Sequence, residues 1–415
     1  MKHFLISITL LLLFTACHKD DDNNTPPTPA RRTVIVYVSG DNTLSGFTYG
    51  DLQELVNGAT NTLSDDDRLV MFVDRISTAE KPFIARIKND SKQPVDTLYK
   101  YSEDPYVSEP SVFKDVITRI TQLCPAQEYG LVLWGHGTGW CFDKDERVTS
   151  APRRAYGVDN GNKSANGNKG LWLSIPDMRS CFEQLGFKWK FIFADCCNMM
   201  CAEVAYELRN CADYLIGSPA EIPGFGAPYH KMVTHFFSQS DTFYADIVDT
   251  YAASYKDDYL PLSAIQLSEM ESLAKATKAV LPAVAEHLKQ GDAIATKGII
   301  YYFSPNGRYD DVNKSMYDMN DMIRTALSEQ PDAYETWHQA FMKAVPKQVK
   351  ADRWETQSAN TVNFSDFTVT DAKQGCVSMF FPLKKYDDNK CLYKHNSDIR
   401  NMQWYKAVDW SAVGY

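Results

Sequence analysis

Phe191-Ile192-Phe193-Ala194-Asp195-Cys196-Cys197-Asn198-Met199-Met200 is an apolar run that ends in an acid and two thiols, with a helix-like segment, Cys201 to Arg209, directly behind it. In an α/β protein this is where a buried parallel strand hands over to a helix, and ligands gather at such carboxyl ends. A cysteine there is expected beside a helix N-terminus, whose partial positive charge favours thiolate over thiol. Upstream, Tyr129-Gly130-Leu131-Val132-Leu133-Trp134-Gly135-His136-Gly137 is a second apolar strand, this one ending in histidine and flexible glycines. Two strands that deliver a thiol and an imidazole to one sheet edge imply a cysteine hydrolase.

The flanking sequence has the period of an α/β fold. Thr33 to Val38 and Arg68 to Asp74 have buried-strand patterns, and Ser39-Gly40-Asp41-Asn42 forms the turn after the first. Leu52, Leu55 and Val56 mark one face of a helix between them. Phe83 to Lys88 and Asp96 to Lys100 form an edge hairpin, and Val112, Phe113, Val116, Ile117, Ile120 and Leu123 fall on one helical stripe. Ser174 caps a helix to Leu185 with Pro176 in its first turn, and a fifth strand lies at Tyr214 to Ile216. This alternation predicts a mainly parallel sheet covered on both faces.

Beyond Tyr229, helices are expected at 244–255, 269–288, 315–327 and 333–345, and strands at 262–267, 298–303 and 376–381. Between Thr138 and Gly170 the pattern breaks down into glycines, asparagines and the basic residues Arg147, Arg153, Arg154, Lys163 and Lys169. An insertion of this length points to a functional or a disordered segment, and its basic residues read equally as a solvated loop.

Composition narrows the class. At 415 residues and 44% hydrophobic, the chain has ample material for a large core. A net charge of −10 argues against a nucleic-acid partner, which needs a basic surface. Met1-Lys2-His3 followed by the apolar run Phe4 to Phe14 reads as an export signal, too short to span a bilayer. Phe14-Thr15-Ala16-Cys17 resembles a bacterial lipobox, with Cys17 the lipidated residue, and Lys19-Asp20-Asp21-Asp22 resembles the export signal of surface lipoproteins of Bacteroidetes. A plain secretory signal is the alternative. The division that follows is 1–16 signal peptide, 17–32 flexible tether, 33–385 catalytic domain, and 386–415 an extension packed on it. The ten cysteines have neither zinc-module nor disulfide-scaffold spacing, and Cys124, Cys181 and Cys211 read as packed thiols.

Asp195 and Cys197 are two apart, so an extended backbone turns both to one side and Cys196 to the other. Cys197 is then the nucleophile and Cys196 a packing residue, provided no turn begins between them. The N–H groups of Gly137 and Cys197 are placed to hold an oxyanion, and His136 to move the proton. No third residue to orient His136 is legible. The eight histidines show no metal-helix spacing, which leaves a zinc hydrolase a poor reading.

The strand-His136-Gly137 element, with Asp195-Cys196-Cys197-Asn198-Met199 and Glu203 to Leu208 behind it, resembles the clostripain family of cysteine peptidases. Val34 to Asn42, Gly217-Ser218, Pro223 to Gly226, Leu262 to Ser268 and Gly375 to Pro382 are similar to it as well. The resemblance implies a caspase-like three-layer α/β/α sandwich with a mainly parallel central sheet and a C-terminal elaboration. It further implies protein or peptide substrates cut after arginine or lysine, His136 and Cys197 as the catalytic pair, and Asp195 in an acidic pocket for the basic side chain. Ser218 and Glu221 join that pocket; where the family carries acids after that serine this chain has Pro219 and Ala220, so either Glu221 replaces the charge or the pocket is less acidic and the basic preference weaker. No cofactor is required for the chemistry, calcium responsiveness is implied by the family, and self-cleavage is expected at Arg153 or Arg154. The lipid on Cys17 places the protein on the outer membrane at the cell surface. The competing reading is a catalytically silent surface lipoprotein of the same fold that binds a protein or glycan.

Overall fold

Alternation along each central strand decides which helix covers which face. In the computed structural model, which describes residues 28–60, 62–77, 79–141, 155–161, 170–255, 259–304, 314–356, 366–387 and 395–415, the first half of the chain runs β1 (Ala30–Gly40), α1 (Thr48–Ala59), β2 (Asp67–Arg75), β3 (Phe83–Ile87), β4 (Val95–Lys100), α2 (Pro110–Leu123), β5 (Ala126–Trp134), β6 (Tyr156–Asp159) and β7 (Leu171–Leu173). Next come α3 (Ile175–Glu183), β8 (Trp189–Asp195), α4 (Ala202–Leu208), β9 (Ala212–Gly217), α5 (Tyr229–Phe236), α6 (Phe243–Ala252) and β10 (Leu262–Gln266). The remainder is α7 (Met270–Leu288), α8 (Asp292–Ala295), β11 (Tyr301–Phe303), β12 (Ser315–Asp318), α9 (Met319–Ala326), α10 (Pro331–Ala344), β13 (Lys347–Val349), β14 (Ser378–Met379), α11 (His395–Asp398) and α12 (Gln403–Val408).

The main sheet has the order β13-β10-β9-β8-β5-β1-β2-β3-β4. Its centre, β9-β8-β5-β1-β2, is parallel throughout, while β3–β4 close one edge and β10–β13 the other as antiparallel pairs. Val34, Val36 and Val38 of β1 pack with α1, α5 and α6. Ile35 and Tyr37, one step out of phase, pack with α2, α3 and α4. That period of two, buried on both sides, is the three-layer sandwich the sequence predicts. Ser174 caps α3, its hydroxyl oxygen accepting the Asp177 N–H.

Three stretches differ from expectation. Inside the 138–170 insertion, where the sequence pattern breaks down, Tyr156–Asp159 forms β6 and pairs with β7. The run from Ser315 is not one helix: it begins as β12, paired with β11 and β14, and turns helical only where Asp318 caps α9 by accepting the Asp321 N–H. The run from Cys376 to Phe381 keeps strand geometry only over Ser378–Met379, because Cys376 adopts a left-handed φ of 53° just ahead of it. A short apolar run fits a strand or a buried helix equally well, and here tertiary pairing decides.

Among the described residues of the C-terminal thirty, two tryptophans pack inward. Trp404 and Trp410 are fully buried, and the Trp404 ring meets Tyr206 of α4 edge-on at 5.5 Å. Trp404→Ala should therefore lower folding stability by about 3–5 kcal/mol, read as a fall in the urea midpoint. Ile294→Ala, at a side chain 58% exposed, should change stability by less than about 0.5 kcal/mol.

Candidate active site

β5 and β8 are neighbours in parallel register, Trp134 opposite Asp195. Two residues beyond these partners stand His136 and Cys197, so the pairing itself carries the imidazole and the thiol to one edge. The strand ends touch through Gly137: a Cβ there would lie 2.5 Å from the Cys197 carbonyl oxygen and 3.1 Å from its nitrogen. Only glycine allows that approach. His136, Gly137, Cys197, Asp195, Glu221 and Trp172 share the walls of one cavity of about 250 Å³. The order of the parallel strands reverses between β1 and β5, and the cavity opens at the carboxyl ends beside that switch point.

His136 is held from several sides. Its Nε2 lies 2.8 Å from the Thr43 hydroxyl, its carbonyl accepts the Gly157 N–H at 2.9 Å, and its ring is tilted 45° to Trp172 at 6.4 Å. β6, which supplies Gly157, is fastened to the sheet by the Tyr156 hydroxyl, which donates to the carbonyls of Tyr37 and Trp134. Thr43 is the orienting partner that sequence reasoning missed. The only signal for it was its place just after the β1 turn, at the same sheet edge.

Cys197 is half-buried, and its sulfur accepts the Ile222 N–H at 3.4 Å. Burial pushes its thiol far above the usual range, and the carboxylates of Glu221, Glu355 and Asp195 push the same way. The expected lift from a helix terminus is missing, because Asn198 turns through a left-handed φ of 61° and α4 starts only at Ala202, with Cys201 as its cap. Cys196 is fully buried on the opposite face. Among the described residues, the N–H groups of Gly137 and Cys197 have no hydrogen-bond partner.

The acidic side of the cavity is built by burial. Asp195 accepts the Tyr229 hydroxyl at 2.6 Å, the Tyr251 hydroxyl at 2.9 Å and the Ala227 N–H at 3.1 Å. Burial still raises its carboxyl above the usual range against the pull of these donors. Glu221 is pushed up to about 7, first by burial and then by Glu355, with which it forms an isolated antiparallel bridge. Glu355 comes from far along the chain and had no signal in the sequence. Ser218 stands outside the cavity lining: it is fully buried, and its Oγ accepts the Ala220 N–H at 3.0 Å. Cys17, Arg153 and Arg154 lie outside the described residues. Among the described residues, no three metal-type donors converge at the cavity.

The model of the clostripain family, Peptidase C11, matches residues 36–413. A secreted C11 cysteine protease from Bacteroides thetaiotaomicron, solved with an irreversible peptide inhibitor, is similar at 27% identity and a TM-score of 0.72, over 92% of this chain and 100% of that one. An inactive zymogen C11 protease from Parabacteroides distasonis is similar at 25% identity and a TM-score of 0.70, over 92% and 99% of the two chains. A comparison with curated proteins found no match. With the family model spanning residues 36–413 and the fold shared over 92% of the chain, the chain belongs to the clostripain family of cysteine peptidases.

Proposed function

We propose that the protein is an exported endopeptidase that cuts after arginine or lysine, with Cys197 as nucleophile and His136 as its acid and base. The observation that carries this reading is the shared cavity, in which thiol, imidazole and two unpartnered N–H groups converge. Cys197 passes its proton to His136 and attacks the scissile carbonyl carbon. The oxyanion that forms is met by the N–H groups of Gly137 and Cys197, which are fixed before charge develops. His136 then protonates the leaving amine, and water, deprotonated by the same ring, hydrolyses the thioester.

Charge links specificity to reactivity. Glu221, Glu355 and Asp195 all hold the thiol proton on Cys197. A guanidinium or ammonium seated among them offsets that field, so the correct substrate eases formation of the thiolate that attacks it. An uncharged side chain gives no such relief. The secreted relative supports export. Lipid on Cys17 and a self-inflicted cut at Arg153 or Arg154 complete the reading.

Cys197→Ala should lower cleavage of an arginyl peptide by at least about 1,000-fold, while Cys196→Ala, which removes a packed thiol, should stay within about tenfold of wild type. An active Cys197→Ala protein would sink the assignment and leave a silent binding protein on the same fold. Basic selectivity should also follow pH. Glu221 loses its charge as pH falls through about 7, so the ratio of kcat/KM for an arginyl over a norleucyl substrate should decline below that point. The ratio cancels the titration of the catalytic pair, and in Glu221→Gln it should be smaller and nearly flat from pH 6 to 8, roughly the span of that titration.

A further inference from the structure

Among the described residues six large hydrophobic side chains stand exposed, and two of them, Phe47 at 41% and Phe225 at 65%, adjoin one glycine at the cavity. Phe225 follows Gly224 in the chain, and Phe47 reaches it in space: a Cβ on Gly224 would lie 3.1 Å from the Phe47 ring and 3.7 Å from Leu44. Leu44, Ile222, Pro223 and Gly224 line the cavity itself, with His136 and Cys197. The apolar surface outside is therefore continuous with an apolar wall inside. A single exposed apolar residue is ordinary, whereas neighbouring ones beside a cavity mark a contact surface.

Both turns that carry this surface are fastened. The Gly226 N–H donates to the Pro223 carbonyl at 2.9 Å, which closes the turn that presents Phe225. The Tyr255 hydroxyl donates to the Gly226 carbonyl at 3.1 Å, and its ring stacks on Phe225 at 6.3 Å. On the other turn, the Phe47 N–H donates to the Leu44 carbonyl, and the Ser45 hydroxyl accepts the Ile76 N–H. Neither phenylalanine belongs to the packed core on either face of the sheet. Side chains held outward on rigid turns lose little further freedom when a ligand covers them. The cavity thus has two characters, acidic at Asp195 and Glu221 and apolar from Leu44 to Ile222.

The apolar wall also has a direction. The Ile222 N–H meets the Cys197 sulfur at 3.4 Å, and Leu44 follows Thr43, whose hydroxyl lies 2.8 Å from Nε2 of His136. It runs from thiol to imidazole, the way a leaving amine departs once His136 protonates it. We propose that Leu44, Phe47, Ile222 and Phe225 form an apolar subsite for the side chain just after the scissile bond, so that the preferred substrate carries leucine or a residue like it directly behind the basic one. This assignment rests on the peptidase reading. A leucine covered there leaves water, while an amide side chain gives up its hydration against groups that offer it no partner.

Two peptides with the same arginine, one followed by leucine and one by asparagine, which is similar in size and uncharged, test the subsite on the full chain. Wild type should cut the leucyl peptide with a kcat/KM about five- to tenfold higher. In a Phe47→Ala/Phe225→Ala protein that ratio should fall to less than about twofold, while Ile294→Ala, a comparably exposed apolar side chain on α8, should keep the wild-type ratio. A wild-type ratio near one, or a ratio unchanged in the double variant, overturns the subsite. A preference that follows the residue before the arginine, and is lost in the double variant, overturns the side assigned. Sedimentation that finds wild type dimeric and the double variant monomeric gives the surface to a second copy of the chain and overturns the subsite as well. If wild type cuts neither peptide, the peptidase reading fails and binding judges the surface separately. The Cys197→Ala protein should hold the fluorescein-labelled leucyl peptide about fivefold more tightly than the asparaginyl one, and equal affinities overturn the proposal.

Discussion

Everything at the functional edge depends on the parallel pairing of β5 with β8. Backbone hydrogen bonds fix Trp134 opposite Asp195, and the contact of Gly137 with the Cys197 backbone carries that pairing past the ends of the strands. Thiol and imidazole are therefore positioned by the rigid sheet rather than by loops, which suits a reaction sensitive to small displacements. The turn from Cys197 to Cys201 is pinned from both sides. The N–H groups of Asn198 and Met200 donate to the carbonyls of Ala220 and Ser218, and the Met200 carbonyl accepts from Ser378 of β14. The small second sheet thus supports the Cys197 turn from behind. Buried Glu203, which accepts the Phe380 N–H, strengthens the link.

The same edge concentrates acids under low-dielectric walls. Asp51 accepts the Trp134 indole N–H and is pushed up to about 8 by burial and by Asp195. Asp195, Glu221, Asp74 and Asp159 are raised by the same dominant cause. Burying a carboxylate disfavours its charged form, so each of these groups stays neutral or finds a positive partner. In the cavity, the basic side chain proposed for the substrate would be such a partner. Eight described cysteines are all free thiols, and burial raises the pKa of most. Seven of the eight are buried; Cys197 alone among them is partly open. Access, more than an intrinsically low pKa, distinguishes it.

What the sequence by itself determined is the framework. The period of two in Val34 to Val38 and in Phe191 to Ala194, with helical stripes between strands, specifies a parallel sheet covered on both faces, because each pattern buries only one way. His136 and Cys197 were legible for the same reason, since each directly follows an apolar strand. What tertiary structure alone decided is the set of partners brought from afar. Thr43 at His136, Glu355 at Glu221, and Asp74 facing Asp159 lie too far apart in the chain for local periodicity to link them. Ser218 was expected in the pocket only by family resemblance; its hydroxyl accepts the Ala220 N–H within a turn. The thiol's state was also beyond local reading. The sequence suggested activation by a helix terminus, while the left-handed turn at Asn198 and acids from distant segments set the opposite field. Long-range electrostatics depends on which segments the fold stacks together, and no local pattern of residues encodes that.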